Sequence, residues 1–314
     1  MPFSRRTVAI TVTYNPDLDI LQKQLHSLNT QCETLFIDNH SKTGLDSIIK
    51  LCKTHNHTQC IQLDSNTGIS NAQNIGIQHI RDNYPDVEFV LLLDHDSVPP
   101  EDMVKNLENF HDSLTKSGNQ VAAVGPHLFD PRDGKYLGFH VLRSKIIYKK
   151  IVPALTAPPL ECQGINSSGS LLSIRAINTI GLLDNTLFID HGETEWCYRA
   201  MSKGYKVYGI PGVVMEHHMG DEVCEFWLFG KKRMPYRSPL RHYYIIRNST
   251  LLQKRPYIPL HWKLMNIIKI CFTYFYFGLL CKERREHRNY IFKGLRDGLR
   301  GRTGKLQQAV TDQK

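Results

Sequence analysis

The chain predicts an α/β fold built on a mostly parallel central sheet. Through the first hundred residues, β-branched and apolar runs alternate with segments of helical periodicity. Polar residues gather just after those runs, where an open α/β sheet meets its ligands. One run, Leu91-Leu92-Leu93, stops abruptly at Asp94-His95-Asp96-Ser97, two carboxylates one residue apart.

The elements follow in order. Thr7–Thr13 is a β-branched run that ends in Tyr14-Asn15-Pro16. Proline cannot donate a further ladder bond, so a turn follows. Leu18, Leu21, Leu25 and Leu28 recur at helical spacing. A second strand, Thr34–Ile37, ends in Asp38-Asn39-His40-Ser41, and Ile48–Leu51 reads as helical. Cys60–Leu63 is a third strand, and residues 66–76 form a loop entering a helix, with Ser70 as its expected N-cap. The strand ending at Asp94 comes next. Such alternation argues right-handed crossovers between parallel strands.

Residues at i and i+2 of an extended chain point the same way, so Asp94 and Asp96 can converge on one object. Two adjacent carboxylates repel unless a cation or a donor-rich ligand lies between them. Hard divalent metals prefer oxygen ligands, and Mg²⁺ often bridges to substrate phosphates. The pair therefore reads as a site for a metal-bound nucleotide diphosphate, or else as a strand-end turn with two solvated acids.

Thr13-Tyr14-Asn15-Pro16, Asp38-Asn39-His40-Ser41, Asn66-x-Gly68 through Ala72-x-x-x-Gly76, and Asp94-His95-Asp96-Ser97 stand in one order. Together they resemble the nucleotide-binding half of family 2 glycosyltransferases, which have the GT-A fold. Their form looks like the rhamnosyltransferase branch that builds bacterial surface polysaccharides. The resemblance runs to about Asn248 and implies a GT-A domain over 1–230. Within it, 1–100 is the nucleotide-sugar half and 101–230 the acceptor and metal half. The donor contacts it implies are Thr13, Tyr14, Asn15, Asp38 near the base, Asn66, Gly68, Asn74, Asp94 and Arg247.

The second half supplies the chemistry. Gly164–Ile174 is a small-residue loop running into a strand, matching a family segment on the acceptor side. Leu187–Arg199 resembles the family's acidic helix start. Glu193 matches the family's catalytic base by its distance from Trp196 and Arg199, although the family more often has Asp there. A carboxylate within reach of an acceptor hydroxyl can take its proton as the bond forms. Asp190, Glu195 and Trp196 are further acceptor-side candidates. Glu195 can instead pair with Arg199, four residues on, and each acid can simply satisfy free N–H groups at a helix start. In Val213–Asp221 the family has a histidine that completes the metal site opened by Asp96. His217 matches best, with His218 as its rival. Arg241 and Arg247 lie in a segment that resembles one near the donor diphosphate, where a guanidinium can pair with phosphate. A basic helix facing anionic lipid is the other reading.

Composition narrows the rest. The chain has 314 residues, 41% hydrophobic and 22% charged, so a sizeable core is possible. The net charge of +9 suits anionic partners. Its basic residues cluster around an apolar stretch, Leu264–Cys281, which Asn266 and Lys269 interrupt. A span needs about 20 predominantly apolar residues. The stretch reads as an interfacial or shallowly embedded helix within a basic, helical, membrane-associating region, 231–314. A buried core helix and a true span are the alternatives. The tail after Gly294 reads as a loosely ordered end. No apolar signal region follows Met1, so a cytoplasmic location is expected, peripheral on the inner face of the plasma membrane. The eight cysteines show no C-x-x-C spacing and read as reduced thiols.

The expected activity is thus an inverting transferase using Mg²⁺ or Mn²⁺. It would move L-rhamnose from dTDP-L-rhamnose to a lipid-linked glycan acceptor in lipopolysaccharide O-antigen or other surface polysaccharide synthesis. A UDP-hexose or UDP-galactofuranose donor is the nearest alternative. A non-catalytic basic membrane-surface protein is another, and nucleic acid is not an expected partner.

Overall fold

The computed structural model describes residues 3–132, 134–144, 147–217, 223–227 and 231–307. The first half alternates as expected: β1 (Ser4–Thr13), α1 (Leu18–Leu28), β2 (Cys32–Asp38), α2 (Leu45–Thr54), β3 (Thr58–Gln62), α3 (Ile69–Asn83) and β4 (Phe89–Asp94). Next come β5 (Ser97–Val98), α4 (Met103–Lys116), β6 (Val121–Asp130), β7 (Lys135–Tyr136), β8 (Phe139–Ser144), β9 (Ile147–Ile151), β10 (Leu160–Glu161), β11 (Ser170–Ser173) and α5 (Ile174–Ile180). The last part holds α6 (Gly192–Ser202), β12 (Lys206–His217), β13 (Val223–Trp227), β14 (Lys231–Pro235), α7 (Pro239–Gln253), α8 (Leu260–Thr273) and α9 (Arg284–Leu299). A π-helical segment, Tyr274–Leu280, continues α8.

The main sheet runs β10-β12-β6-β11-β4-β1-β2-β3. Strands β3, β2, β1 and β4 are mutually parallel, β11 is antiparallel to both of its neighbours, and β12 is parallel to β6. Helices cover both faces, so β1 is buried on both sides and reads as a continuous apolar run. Val8, Ile10 and Val12 pack on the face that includes Ile77, Ile177 and Trp196. Ala9 packs on the other face with Met103 and Leu107 of α4.

Register places the site. Val12 stands opposite Asp94 and Thr13 opposite Asp38, so three strands deliver their polar ends together. On the far side, β12 pairs with β5 so that His217 stands opposite Ser97. The one-residue step from Asp96 to that ladder sets the histidine beside the acid pair.

Two local expectations differ. Gly68, not Ser70, is the N-cap residue of α3. Its φ of +88° suits glycine, and a Cβ there would collide with the backbone oxygen of Phe188. Ser70 is buried instead in the first turn. The tail is also ordered further than expected. Gly294 and Gly298 lie within α9, where the missing side chains let it press on Tyr243, Arg247 and Thr250 of α7.

Candidate active site

The oxygens of Asp94 and Asp96 and a ring nitrogen of His217 all lie within 4.8 Å of one another. Gln24 of α1 builds the turn that carries the acids. Its amide donates to the carbonyls of Asp94 (2.8 Å) and Ser97 (2.6 Å), and it accepts from Thr11 Oγ1 (2.8 Å). Ser97 Oγ lies 2.9 Å from His217 Nδ1 and 2.6 Å from Ser168 Oγ. His217 is buried and oriented by these hydroxyls. Burial first, then the neighbouring charges of Asp96 and Glu193, push the Asp94 carboxyl up to about 7, against the pull of Arg241. A cation among these oxygens would relieve that repulsion. Two carboxylates and one imidazole suit Mg²⁺ or Mn²⁺ with positions left for phosphate and water.

These groups face a cavity of about 580 Å³. Tyr14, Asn39, Asn66, Gly68 and Phe188 line it along with them, and so do Arg237 and Arg241. Asn39 Oδ1 accepts from the Thr67 amide (2.9 Å) and Asn39 Nδ2 donates to Asn66 Oδ1 (3.3 Å). The loops after β2 and β3 are thereby tied into one wall. Phe188 stacks on Tyr244 of α7, ring centroids 5.1 Å apart.

Glu193 sits in the first turn of α6, where free N–H groups favour a negative charge. Its carboxyl is nonetheless raised above the usual glutamate range, chiefly by burial and next by Asp190. The approach to this helix is contorted: Phe188, Asp190 and His191 all have φ between 63° and 67°. Non-glycine residues hold such angles only where their surroundings enforce them. Asn248 enforces them here. Its Nδ2 donates to the carbonyls of Leu187 (2.8 Å), Ile189 (2.7 Å) and Asp190 (3.0 Å). Arg241 adds a two-point ion pair to the Asp190 carboxylate. Gly192 packs against the Ser70 hydroxyl, where any Cβ would clash, so the N-termini of α3 and α6 meet at the cavity.

A second cavity of about 380 Å³ opens on the other side of Glu193. Glu193, Asn166 and Leu137 line both cavities. Its walls include Phe139, Tyr198 and Trp262, and the polar groups of Gln163, Ser249 and Asn266. Aromatic faces beside amide and hydroxyl groups suit a carbohydrate.

Of the residues singled out from sequence, Tyr14, Asn66, Gly68, Asp94, Asp96, Asp190, Glu193, His217 and Arg241 line the first cavity. The remaining donor-contact and acceptor-side candidates do not. Asp38 is fully buried and accepts from Thr13 Oγ1, Ser41 N and Ser41 Oγ, so it braces the strand ends together with Thr13. Asn15 Oδ1 caps the amides of Lys42 and Thr43. The Asn74 side chain bonds the backbone of Leu183 at both N and O. Arg247 is fully buried on Asn248, Leu187 O and Gly304 O, away from the phosphate-sized space. Glu195 is fully buried, paired with Arg199 at two points and hydrogen-bonded by Tyr257. The Trp196 indole donates to Gly181 O within the core. His218 lies outside the described residues.

Sequence reasoning passed over Asn39, Ser97, Ser168 and Gln24. Asn39 and Ser97 each adjoin a recognised acid, which is the only local signal they carry. Ser168 and Gln24 matter through contacts more than 70 residues away in the chain.

A mostly parallel sheet with an acid pair at its strand ends and a cavity beyond them is the arrangement of a GT-A fold. The comparisons give the family. Residues 8–157 match the family model described as glycosyl transferase family 2. The chain is 30% identical over 304 residues to the dTDP-rhamnosyl transferase RfbF of Shigella flexneri, covering 94% of this chain and 96% of that protein. It thus belongs to glycosyltransferase family 2. It is also 25% identical over 204 residues to the low-salt glycan biosynthesis hexosyltransferase Agl10 of Haloferax volcanii, spanning 63% of this chain and 62% of that one. Among solved structures, TarS 1–349 of S. aureus matches 98% of this chain and 95% of its own, at TM-score 0.55 and 14% identity. GalNAc-T7, solved with UDP, GalNAc and Mn²⁺, matches at TM-score 0.55 and 15% identity, covering 94% of this chain and 56% of that one. At such identities these two establish the shared fold alone.

Proposed function

We propose that the chain is an inverting, metal-dependent rhamnosyltransferase. It moves L-rhamnose from dTDP-L-rhamnose to a hydroxyl of a lipid-linked glycan, in synthesis of lipopolysaccharide O-antigen or a related surface polysaccharide. The observation that carries the reaction type is Glu193 on the wall shared by two cavities. A displacement needs a donor on one side, an acceptor on the other, and a base between them. The sugar follows from the likeness to RfbF.

In this reading the larger cavity takes the nucleotide sugar. Tyr14, Asn39, Asn66 and Gly68 contact the nucleoside end, while Asp94, Asp96 and His217 would hold Mg²⁺ or Mn²⁺. When bound, that ion neutralises charge on the leaving diphosphate. Arg241 and Arg237 add positive charge to the same wall. Glu193 takes the acceptor hydroxyl proton. The oxygen bonds to the anomeric carbon from the side opposite the diphosphate, which leaves with the electron pair of the broken bond. One displacement inverts the configuration.

The C-terminal helices support a membrane-surface location. Trp262, Asn266, Lys269 and Thr273 of α8 face the second cavity, one helical stripe. The opposite stripe exposes Leu260, Leu264, Ile267, Ile268 and, in the π segment, Phe275. Exposed Lys282, Arg284 and Arg285 follow it. The segment Leu260–Leu280 is long and apolar enough to cross a membrane, but with one polar stripe held against the protein and basic residues following, this reading lays it in the bilayer interface.

Calorimetry of dTDP-rhamnose, UDP-glucose and UDP-galactose, with Mn²⁺ and with chelator, tests the donor. Metal-dependent binding of dTDP-rhamnose alone is expected. Preference for a UDP-sugar would replace the donor, and no binding of any would remove the transferase reading.

A further inference from the structure

We propose that Lys150 of β9 and Lys269 of α8 form an anion site in the second cavity. It holds a phosphate group of the acceptor, next to the membrane-facing helix. This deepens the acceptor assignment made above and rests on it.

Both lysines line the cavity, and Glu193 is the only carboxylate among its lining residues. Neither lysine has an acid partner among the described residues. Both keep solvent exposure, and their like charges oppose each other. Burial, and then the charge of Lys150, lower the pKa of Lys269. Both lysines also help burial hold His140, on the same wall, down at about 4. An anion brought between them would reverse that cost.

Asn266 points to a ligand independently. It is 5% exposed, lines the cavity, and its Oδ1 has no hydrogen-bond partner. A buried carbonyl oxygen without a donor is costly, and a sugar hydroxyl would supply one. Glu193, Asn266 and Lys269 thus present, on one cavity, a base for a hydroxyl, an acceptor for another hydroxyl and a cation for an anion. Together they suit a sugar attached to a phosphate. Asn266 and Lys269 both sit on the helix whose outer face is apolar, so these groups adjoin the expected bilayer. A lipid-linked sugar phosphate entering from that surface would meet the groups in this arrangement.

The test uses the full chain with dodecyl phosphate as probe, below its micelle concentration and with chelator present, by calorimetry. The neutral control is dodecyl maltoside. Binding of dodecyl phosphate is expected to weaken about 10- to 100-fold in Lys150→Ala/Lys269→Ala, the size of losing charged hydrogen bonds. Lys150→Arg/Lys269→Arg should retain it, which separates charge from misfolding. Asp96→Ala should also retain it, which separates this site from the donor's. Equal binding by the alanine pair would overturn the proposal. So would a loss confined to adsorption on phosphatidylcholine vesicles with 30% phosphatidylglycerol, which would assign the lysines to bilayer headgroups. Donor binding should be unchanged in the lysine variants. Its absence in the parent protein would sink the transferase reading without altering the phosphate result.

Discussion

Arg241 grips Asp190 at two points, Nε to Oδ2 at 2.6 Å and Nη2 to Oδ1 at 2.9 Å, three residues before Glu193. The pair joins α7 to the strained entry of α6 and keeps a guanidinium on the wall of the larger cavity. A lysine offers one point charge and cannot reproduce the fork. Arg241→Lys is expected to lower kcat/KM by about tenfold or more, and Arg241→Ala further, chiefly through donor binding. Steady-state kinetics with varied donor checks this. Unchanged donor KM and kcat in both variants would remove Arg241 from the donor site.

Glu193→Gln should keep donor binding and lose turnover by about 10² to 10⁴, the usual range for a removed general base. Near-normal turnover would move the base to Asp190, the second acid from the entry of α6 that lines the larger cavity.

The pH dependence has a defined sign. The base works as a carboxylate, and burial raises its pKa. More of the enzyme is therefore protonated and inactive at a given pH than for an ordinary glutamate. Activity should rise with pH along an acid limb displaced upward from the usual glutamate range, and Glu193→Gln should abolish that limb. A wild-type profile flat from pH 5 to 8 would contradict the assignment.

Metal addition should stabilise the protein. Asp94, Asp96 and His217 converge within 4.8 Å of one another. Saturating Mn²⁺ binding only the folded state should raise the Tm by several degrees, at about 2–4 °C per kcal/mol. Asp96→Ala should cancel that rise. A rise of equal size in the variant would place the ion elsewhere.

Asn248→Ala tests the strained loop. Its two amide hydrogens are shared among three backbone carbonyls, and its Oδ1 accepts from the buried Arg247. Urea unfolding should show a loss of about 2 kcal/mol or more, with turnover falling because Asp190 and Glu193 lose their support. Stability within 0.5 kcal/mol of wild type, about the scatter of neutral surface changes, would count against that role.

Leu264→Glu/Ile268→Glu tests the membrane face while sparing the α8 residues that wall the second cavity. Recovery on vesicles should fall while donor binding stays. Undiminished vesicle binding would turn the apolar face over to another use.

The strand and helix order of the first hundred residues, the acid pair ending β4 and the acidic start of α6 were legible from the chain alone. All three are local: a period of two or of 3.6, or a few adjacent residues, encodes them. What the residues do once folded was less legible. Glu193 and Glu195 differ by two positions, yet one lines both cavities while the other is fixed by Arg199 and by Tyr257, 62 residues away. Arg241 faces the larger cavity and Arg247 is sealed in the core, although both lie on α7. His217 is set by Ser97, 120 residues distant. Whether a charged group is a tool or a brace depends on which partners long-range packing brings to it. A single sequence carries no local trace of those partners.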